Sequence, residues 1–485
     1  MSIIIPANSA AGGGGYEVTN SLRFDGAINN EECLIKTFGS GGDRRKWTYS
    51  VWFKLSGRGQ GNNNALLIAG TSGQNEGNIK LSNDVIDWSE YNASTSAVIG
   101  RLTTTQVFRD YSAWSHLVCV WDTANSTVGD RMIMYLNGSR ITEYSTDSSP
   151  SLNEDSQINN NGIVHNIGRQ SWNNSGEFNG YMAEICFIDG QALAPTSFGE
   201  FDEDSGIWKP IADLTDLTFG DTGFYLDFKD SAALGDDVSG NNNDWTPNNL
   251  AAINQTTDTC TNNFATWNPL VKTSSTVSIS DGNTIGTEAT NGSYFGIVTT
   301  MFPTSGKWYG EMKFTSLGTV QTGFITEGTF IDGDRNLYSS SSSLYWQSGS
   351  TSISTVLNSS GVTTVVSGGS NSTSAFNSTN DIIMYAWDVD NGRAWFGING
   401  VWQNSGNPAG PTNWWSLPSD YAAGVSLFTT LCGCGVGTAT VNLNTGNPPF
   451  TGTDKTDGNS RGSFEYQPPD GFLSLCTANL SEVLS

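Results

Sequence analysis

The chain contains two histidines, His116 and His165, which limits the catalytic chemistry open to it. A serine hydrolase needs a histidine as general base, and a zinc site commonly uses several. Each of these histidines adjoins an apolar run with the character of a strand, where a packing or hydrogen-bonding role is expected. We therefore predict neither a Ser-His-Asp triad nor a zinc site.

Paired carboxylates are the remaining route to catalysis, because glycosidases use two acids. The nearest candidate is the acidic run 200–204, which contains Glu200 and Asp202. The run superficially resembles the Glu-x-Asp-x-x-Glu strand motif of jelly-roll glucanases, which needs alternate acids on one face of a regular strand. This run lies between Pro195 and the turn residues Ser205 and Gly206, which indicates a loop. We predict a protein that is not an enzyme, with glycan hydrolysis as an alternative.

Oxygen-bearing side chains cluster around a glycine in the segment 236–244. Calcium takes carboxylate, hydroxyl and amide oxygens as ligands, so the segment predicts a calcium site. It lacks the closing glutamate of an EF-hand, and an ordinary turn rich in Asp and Asn is the alternative. No other cofactor is predicted. The residues that would hold calcium are Asp236, Asp237, Ser239, Asn241 and Asp244.

Tryptophans in polar loops are candidates for sugar binding. The C–H face of a sugar stacks on an indole ring, while Asn and Asp side chains bind its hydroxyls. The alternative role for each ring is to cover the edge of a core. Tryptophans inside apolar runs, such as Trp121 and Trp387, are expected in the core. The candidate ligand-binding residues are Trp172, Trp245, Trp402, Trp414 and Trp415.

Strands are the elements that must position these residues. Residues 114–138 and 381–400 share one pattern: an apolar run closed by Asp, a polar turn, a second apolar run and an Asn-Gly pair. Asn-Gly tolerates the positive φ of a hairpin turn, so each unit predicts two strands followed by a further turn. No long stretch has helical periodicity. The predicted fold class is all-β, with two β-sandwich (jelly-roll) domains in tandem and few short helices.

The domain organisation follows from these runs and their linkers. We predict a flexible arm over 1–15, a first sandwich over 16–230, a linker over 231–275 and a second sandwich over 276–485. The stretch 201–275 is ambiguous, because residues 223–228 look like one more strand of the first sandwich.

Charge and cysteine content exclude several classes of partner. The formal charge is −25, from 47 acids and 22 bases, which argues against binding nucleic acid or anionic lipid. No apolar run is long enough to span a membrane, and the N-terminus does not resemble a signal peptide. The 7 cysteines are an odd number, and we expect mostly free thiols in a protein folded in a reducing cytoplasm.

The first predicted sandwich resembles laminin-G and concanavalin-A-like jelly rolls over roughly residues 16–200. The motifs are the Trp114–His116 start of a strand, the Tyr135–Gly138 turn, Ile167–Gly168 and the Phe178–Glu184 strand. The resemblance implies a two-sheet jelly roll that frequently binds sugars at its rim or concave sheet, sometimes through calcium.

The second predicted sandwich is similar to the SPRY family over about residues 290–445. Its motifs are the strand 306–314, the glycine-led strand from Gly323 and the hairpin 381–400. The resemblance implies a β-sandwich that binds partners through loops and has no chemistry of its own.

In the order of its two predicted sandwiches and in the linker segments around them, the chain resembles virion proteins of marine bacteriophages of the cyanophage and pelagiphage type. These linker segments are 187–200, 224–228, 237–241 and 261–269. This implies a virion-surface protein made in the host cytoplasm, such as a tail fibre that attaches to host surface glycans. The implied partners are a host glycan or other receptor, other virion proteins and further copies of the chain, three in a fibre. The alternatives are a capsid or tail decoration protein and a glycan-degrading tailspike.

Overall fold

The computed structural model of the chain has two compact units, whose boundary lies between Asn263 and Phe264. We call residues 16–263 the N-terminal unit and residues 264–484 the C-terminal unit. The predicted arm over 1–15 lies outside the described residues. The structure describes residues 16–26, 31–73, 75–92, 95–173, 175–212, 214–272, 276–289, 295–327, 342–357, 360–362, 366–368, 371–433 and 437–484.

The N-terminal unit is built from short strands joined by turns. Its short 3-10 turns are Gln60–Asn62, Val128–Asp130, Pro195–Ser197, Leu214–Asp216 and Ala252–Asn254. Its strands are β1 (Ser21–Asp25), β2 (Cys33–Thr37), β3 (Lys46–Leu55), β4 (Asn63–Ser72), β5 (Asn75–Ser82), β6 (Val85–Tyr91), β7 (Val98–Thr104), β8 (Trp114–Asp122), β9 (Met132–Leu136), β10 (Ser139–Arg140), β11 (Tyr144–Ser148), β12 (Val164–Ile167), β13 (Asn179–Asp189), β14 (Gly199–Phe201), β15 (Trp208–Pro210), β16 (Phe224–Leu226), β17 (Thr246–Asn248) and β18 (Gln255–Thr256).

Two antiparallel sheets face each other across the core of this unit. Sheet 1 has the order β10-β9-β8-β3-β13-β1-β18, with β16 also paired to β13, and sheet 2 has the order β11-β7-β6-β5-β4-β12-β2-β17. Side chains alternate between the faces of a strand. On sheet 2, Ile79, Trp88 and Leu102 therefore enter the shared core, where they meet Tyr49 and Trp121 of sheet 1.

The outer face of sheet 1 is covered by later parts of the chain. Val118 and Cys186 on this face pack against Phe198 and Phe219, which follow β13. At the other end of the face, Trp114, Tyr181 and Cys260 pack together, with Val18 and Trp208 against them. Sheet 1 is thus covered on both faces, whereas the outer face of sheet 2 carries mostly polar side chains.

The C-terminal unit is also a β-sandwich. Its strands are β19 (Trp267–Lys272), β20 (Ser278–Ser280), β21 (Ile285–Glu288), β22 (Phe295–Thr299), β23 (Lys307–Ser316), β24 (Thr319–Thr326), β25 (Ser343–Gln347), β26 (Ile353–Leu357), β27 (Ser360–Val362), β28 (Ile382–Asp388), β29 (Arg393–Ile398), β30 (Val401–Trp402), β31 (Trp415–Ser416), β32 (Val425–Cys432), β33 (Ala439–Asn444) and β34 (Leu473–Ser474). A helix, α1 (Thr477–Leu484), and 3-10 turns at Gln403–Ser405 and Tyr421–Ala423 complete it.

Sheet 3 has the order β19-β22-β32-β24-β25-β26-β27, and sheet 4 has the order β20-β21-β33-β23-β28-β29-β30, with β31 paired to β29. β34 pairs in parallel with β23. The core between the sheets contains Trp308, Phe324, Trp387 and Phe396.

The predicted fold class is confirmed: the protein is nearly all-β, with sandwiches, short 3-10 turns and little helix. The repeated hairpins are present as β8–β9 and β28–β29. Asn137 and Asn399, with the glycines that follow them, have positive φ, as the Asn-Gly turns require.

The segments on either side of the unit boundary belong to sheets. β16, which lies within the possible strand at 223–228, pairs with β13 of sheet 1. From the predicted linker 231–275, β17 pairs with β2, β18 pairs with β1, and β19 pairs with β22 of the C-terminal unit.

Five cysteines are buried free thiols, in agreement with the prediction of mostly free thiols: Cys33, Cys119, Cys186, Cys260 and Cys476. Cys432 is disulfide-bonded, and Cys434 lies outside the described residues. In the part of the chain that the structure describes, no helix has the length and apolar content to cross a membrane.

Candidate functional site

The outer face of sheet 2 carries a row of mostly polar side chains, of which Arg101 reaches solvent and the others are buried. Cross-strand pairing places Asn166, Ile68, Asn78, Ser89 and Arg101 side by side across β12, β4, β5, β6 and β7. Directly opposite residues on neighbouring strands share a face, so these five form one row. Glu76 stands on the same face, two residues before Asn78.

Trp172 lies at one end of this face, in the loop between β12 and β13. Its indole Nε1 donates a hydrogen bond to Glu76 Oε2 at 2.6 Å, and its ring lies against Gly73 in the turn between β4 and β5. The hydroxyl of Ser171 donates to Gly70 O, which fixes the loop to the end of β4. The residue is 37% exposed, so Trp172 is held in position while part of it meets solvent.

Two amide oxygens on this face have unused acceptor capacity. Asn78 donates through Nδ2 to Glu76 Oε1 at 3.0 Å and to Ser89 Oγ at 2.9 Å. Asn166 donates through Nδ2 to Gln170 O at 3.2 Å. Within the described residues, Oδ1 of each asparagine is buried and accepts no hydrogen bond. A buried acceptor without a donor is costly, and a ligand hydroxyl would satisfy it.

The carboxylates of the face do not form a hydrolytic pair. Burial raises the pKa of Glu76, whose oxygens accept from Trp172 and Asn78. Asp87 lies opposite Lys80, and both of its carboxylate oxygens accept from Arg101, at 2.8 and 3.2 Å. An acid held in an ion pair of this geometry is not poised as a proton donor or nucleophile.

Two of the predicted sugar-binding tryptophans are core residues, which corrects the prediction for them. Trp245 is 3% exposed and packs edge-to-face on Phe224 at 5.0 Å. Trp415 is 0% exposed and packs in the same way on Phe396 at 5.7 Å. A ring enclosed on all sides cannot stack on a sugar. Their polar neighbours in sequence concealed this, because the loop that carries each ring folds over an apolar edge.

Trp402 and Trp414 are half-buried on the outer face of sheet 4. Both pack against a cluster that contains Trp395 and Phe472. The guanidinium of Arg393 lies over the Trp414 ring, 4.3 Å from its centroid, which occupies one face of that ring. These two tryptophans share one surface of the C-terminal unit, whereas Trp172 belongs to the N-terminal unit.

The loop 236–244 is closed by its own hydrogen bonds. Asp237 Oδ1 accepts from the backbone N–H of Tyr225 and of Ser239, both at 2.9 Å, and its Oδ2 accepts from Asn243 N at 2.8 Å. Asp244 Oδ1 accepts from Asp237 N at 3.1 Å. Oxygens that accept N–H groups in this way are not arranged around a cation. Among the described residues, no group of three or more His, Cys, Asp or Glu side chains is placed to hold a metal.

The other residues of the predicted calcium site either form hydrogen bonds that close the loop or face solvent. Asn241 donates through Nδ2 to Gly220 O and Gly223 O, which attaches the loop to the segment before β16. Ser239 Oγ accepts from Asn241 N at 3.2 Å. Asp236 is exposed, and the slight burial of its carboxyl together with the nearby acids, Asp244 first, raises its pKa. The geometry therefore favours the turn alternative over calcium binding.

His116 has a packing role. Its ring stacks between Trp52 and Trp208, at 4.7 and 6.0 Å between centroids. Its Nδ1 accepts from Trp208 Nε1 at 2.9 Å, which leaves Nε2 to carry the proton and donate to Ser50 Oγ at 2.8 Å. A histidine in this tautomer cannot take a proton from Ser50, and burial lowers its pKa to about 3.

The acidic run 200–204 is partly a strand and partly a turn. Glu200 lies in β14, which pairs with β15, although the sequence predicted a loop there. Asp202 begins the turn, and hydrogen bonds from Ser205 and Lys209 lower its pKa. The Nζ atom of Lys209 lies 3.5 Å from Glu200 and 3.0 Å from Asp202, so the two acids share a counter-ion.

Glu76, Asn78 and Asn166 were missed as site residues, although the sequence carries a signal for two of them. In β5, polar Glu76, Asn78 and Lys80 alternate with Gly77, Ile79 and Leu81. That period of two predicts one polar and one buried face. What the strand alone does not reveal is that Asn166 and Trp172 join it.

Comparison with known proteins agrees with the observed fold of the N-terminal unit. Residues 34–196 match the family model for the concanavalin A-like lectin/glucanases superfamily, of the laminin-G type. The N-terminal unit thus has a LamG/concanavalin-A-like jelly-roll fold. No curated protein matches the chain.

The solved structures that match the chain include a SPRY domain and a pair of laminin-G domains. The SPRY domain of human HERC1 has 15% identity and a TM-score of 0.27, covering 36% of this chain and 96% of its own. Domains LG4-5 of the mouse laminin alpha1 chain have 8% identity and a TM-score of 0.30, covering 90% of both chains. A pentraxin from Limulus polyphemus has 18% identity and a TM-score of 0.25, covering 36% of this chain and 78% of its own.

Proposed function

We propose that the chain is a non-enzymatic adhesive protein of a marine phage virion, such as a tail fibre or other surface appendage. In this proposal, the N-terminal unit binds host surface glycans on the outer face of sheet 2. The assignment to a phage virion is supported by the resemblance of the linker segments to those of phage virion proteins. The binding mode is supported by the lectin-type fold and by the polar face.

The observation that carries the proposal is the arrangement around Trp172. A partly exposed indole, held by Glu76, stands beside a face with two buried amide oxygens that accept no hydrogen bond from described residues. A sugar offers an apolar C–H face to the ring and hydroxyl donors to the amides. Stacking and hydrogen bonding would thus act on the same ligand.

A glycan array tests the binding. The wild-type chain is expected to bind a subset of bacterial surface glycans, and Trp172→Ala is expected to lose at least tenfold in affinity. Phe201→Ala is the matched control, because Phe201 is an aromatic side chain of the same unit with 51% exposure. Equal binding by wild type and Trp172→Ala would refute the site.

Virion imaging tests the setting separately. Antibody against the chain should label the tail or its appendages in electron micrographs of phage particles. Labelling of the capsid alone would favour a decoration protein that binds neighbouring subunits.

Because several copies raise avidity, single-site affinities in the array are expected to be weak.

A further inference from the structure

A buried lysine, aspartate and asparagine meet on the outer face of sheet 1, away from the glycan face. Lys54 of β3 is 1% exposed, Asp258 is 0% exposed and Asn263 is 3% exposed. The Nζ atom of Lys54 donates to Asp258 Oδ2 at 2.6 Å and to Asn263 Oδ1 at 2.8 Å. The proposed function uses none of these residues.

The surroundings of the lysine are aromatic and buried. Its Nζ lies over the ring of Tyr181, 4.4 Å from the centroid, with Trp114 at 5.8 Å. Trp114 Nε1 donates to Asp258 Oδ1 at 3.0 Å, which fixes the carboxylate beside the amine. Burial lowers the pKa of Lys54, and Asp258 opposes that shift. A desolvated lysine beside a proton acceptor is an activated nucleophile.

The asparagine presents its carbonyl to the lysine. Asn263 Nδ2 donates to Ser112 O at 2.6 Å, which orients the amide so that Oδ1 faces Lys54. Because a C=O bond is about 1.2 Å long, Lys54 Nζ lies within roughly 4 Å of the amide carbon. Reacting atoms held this close gain a large effective concentration.

We propose that Lys54 and Asn263 form an intramolecular isopeptide bond, with Asp258 as the proton carrier. Asp258 accepts a proton from the lysine ammonium, and the neutral amine attacks Cγ of Asn263. The Cγ–Nδ2 bond breaks, Asp258 returns the proton to the leaving nitrogen, and the second ammonium proton follows. The side-chain ammonium and the primary amide become a secondary amide and one ammonium ion, and no oxidant is required.

The cross-link would join β3 to the last residue of the N-terminal unit. Tension that reaches this unit from the C-terminal unit along the chain enters at Asn263. With the bond formed, that tension passes directly into β3 and bypasses residues 55–262. An adhesive protein under load would gain resistance to unfolding from such a bond.

Intact mass spectrometry of the full, denatured chain tests the proposal. The expected mass is lower than the sequence mass by one molecule of ammonia, after allowing for loss of Met1. A protease digest should contain one branched peptide that joins Lys54 to Asn263. Lys54→Met and Asp258→Ala should each restore the full mass. Lys46→Met, at the other end of β3, should retain the loss.

Each outcome decides the matter. A folded wild-type chain of full sequence mass would overturn the proposal and leave a buried ion pair. A loss of ammonia that persists in Lys54→Met would show cyclisation of an asparagine instead. A loss of water would indicate a bond from Lys54 to Asp258 and would overturn the assignment to Asn263. The wild-type mass is decisive even if the variants do not fold.

Discussion

Trp172 and Glu76 are joined by a hydrogen bond of 2.6 Å between residues that are 96 positions apart in the chain. The loop after β12 and the start of β5 are brought together by sheet 2, in which β4 lies between these two strands. The bond fixes an indole ring at the edge of a polar face. A prearranged ring loses less entropy on binding than a free one.

Removing the acid should loosen the ring without disturbing the core. Glu76→Ala is expected to reduce glycan affinity by about tenfold, or about 1.4 kcal/mol, because Trp172 would no longer be held. Isothermal titration with a glycan from the array measures this. Glu200→Ala, in an exposed position of β14, is the matched control. Unchanged affinity in Glu76→Ala would show that the hydrogen bond does not position the ring.

A buried carboxyl group in the N-terminal unit should make its stability depend on pH. Burial raises the pKa of Glu90 to about 8, and Ser156 Oγ and Gln157 N donate to its oxygens at 2.9 Å. In the unfolded chain, a glutamate side chain has a pKa near 4.5. The stabilising contribution is therefore complete below that pH and is lost as pH rises through about 8.

Urea unfolding from pH 5 to pH 9 measures this dependence. Wild type should lose several kcal/mol relative to Glu90→Gln over that interval, because the amide does not ionise. Glu143→Gln, at an exposed position, should follow the wild type. Parallel curves for wild type and Glu90→Gln would contradict the prediction.

Neighbouring tryptophans of the C-terminal unit should respond differently to truncation. Trp415→Ala is expected to cost about 3–5 kcal/mol, because it leaves a cavity in a close-packed core. Trp414→Ala should cost about 1 kcal/mol, mostly from its contact with Arg393. Denaturant unfolding compares the two. Equal losses would show that Trp415 is not enclosed as described.

The loop 236–244 should depend on Asp237 and not on calcium. Asp237→Ala removes the acceptor for three backbone N–H groups and is expected to lower stability by roughly 2–4 kcal/mol. Chelation with EDTA should leave the melting temperature of the wild type unchanged. Asp236→Ala, at an exposed position of the same loop, is the control. A fall in melting temperature on chelation that added calcium reverses would support the predicted calcium site and contradict the turn alternative.

Local patterns in the sequence determined the fold class and several turns. Apolar alternation in β3 and β8, and the Asn-Gly pairs after β9 and β29, depend on neighbours only a few positions away. They follow from side-chain direction and from the φ values that Asn and Gly tolerate. The alternation in β5 also contained the polar face that includes Glu76 and Asn78.

Which distant residues meet was decided only by the tertiary structure. Trp172 and Trp245 lie in similar polar stretches, yet Trp172 is partly exposed whereas Trp245 is buried against Phe224. Lys54 and Asp258 are 204 positions apart, and they meet where the last residues of the N-terminal unit pack on β3. The physical reason is that sheet order and the covering of a face depend on packing of the whole unit. No local rule of alternation or turn chemistry contains that information.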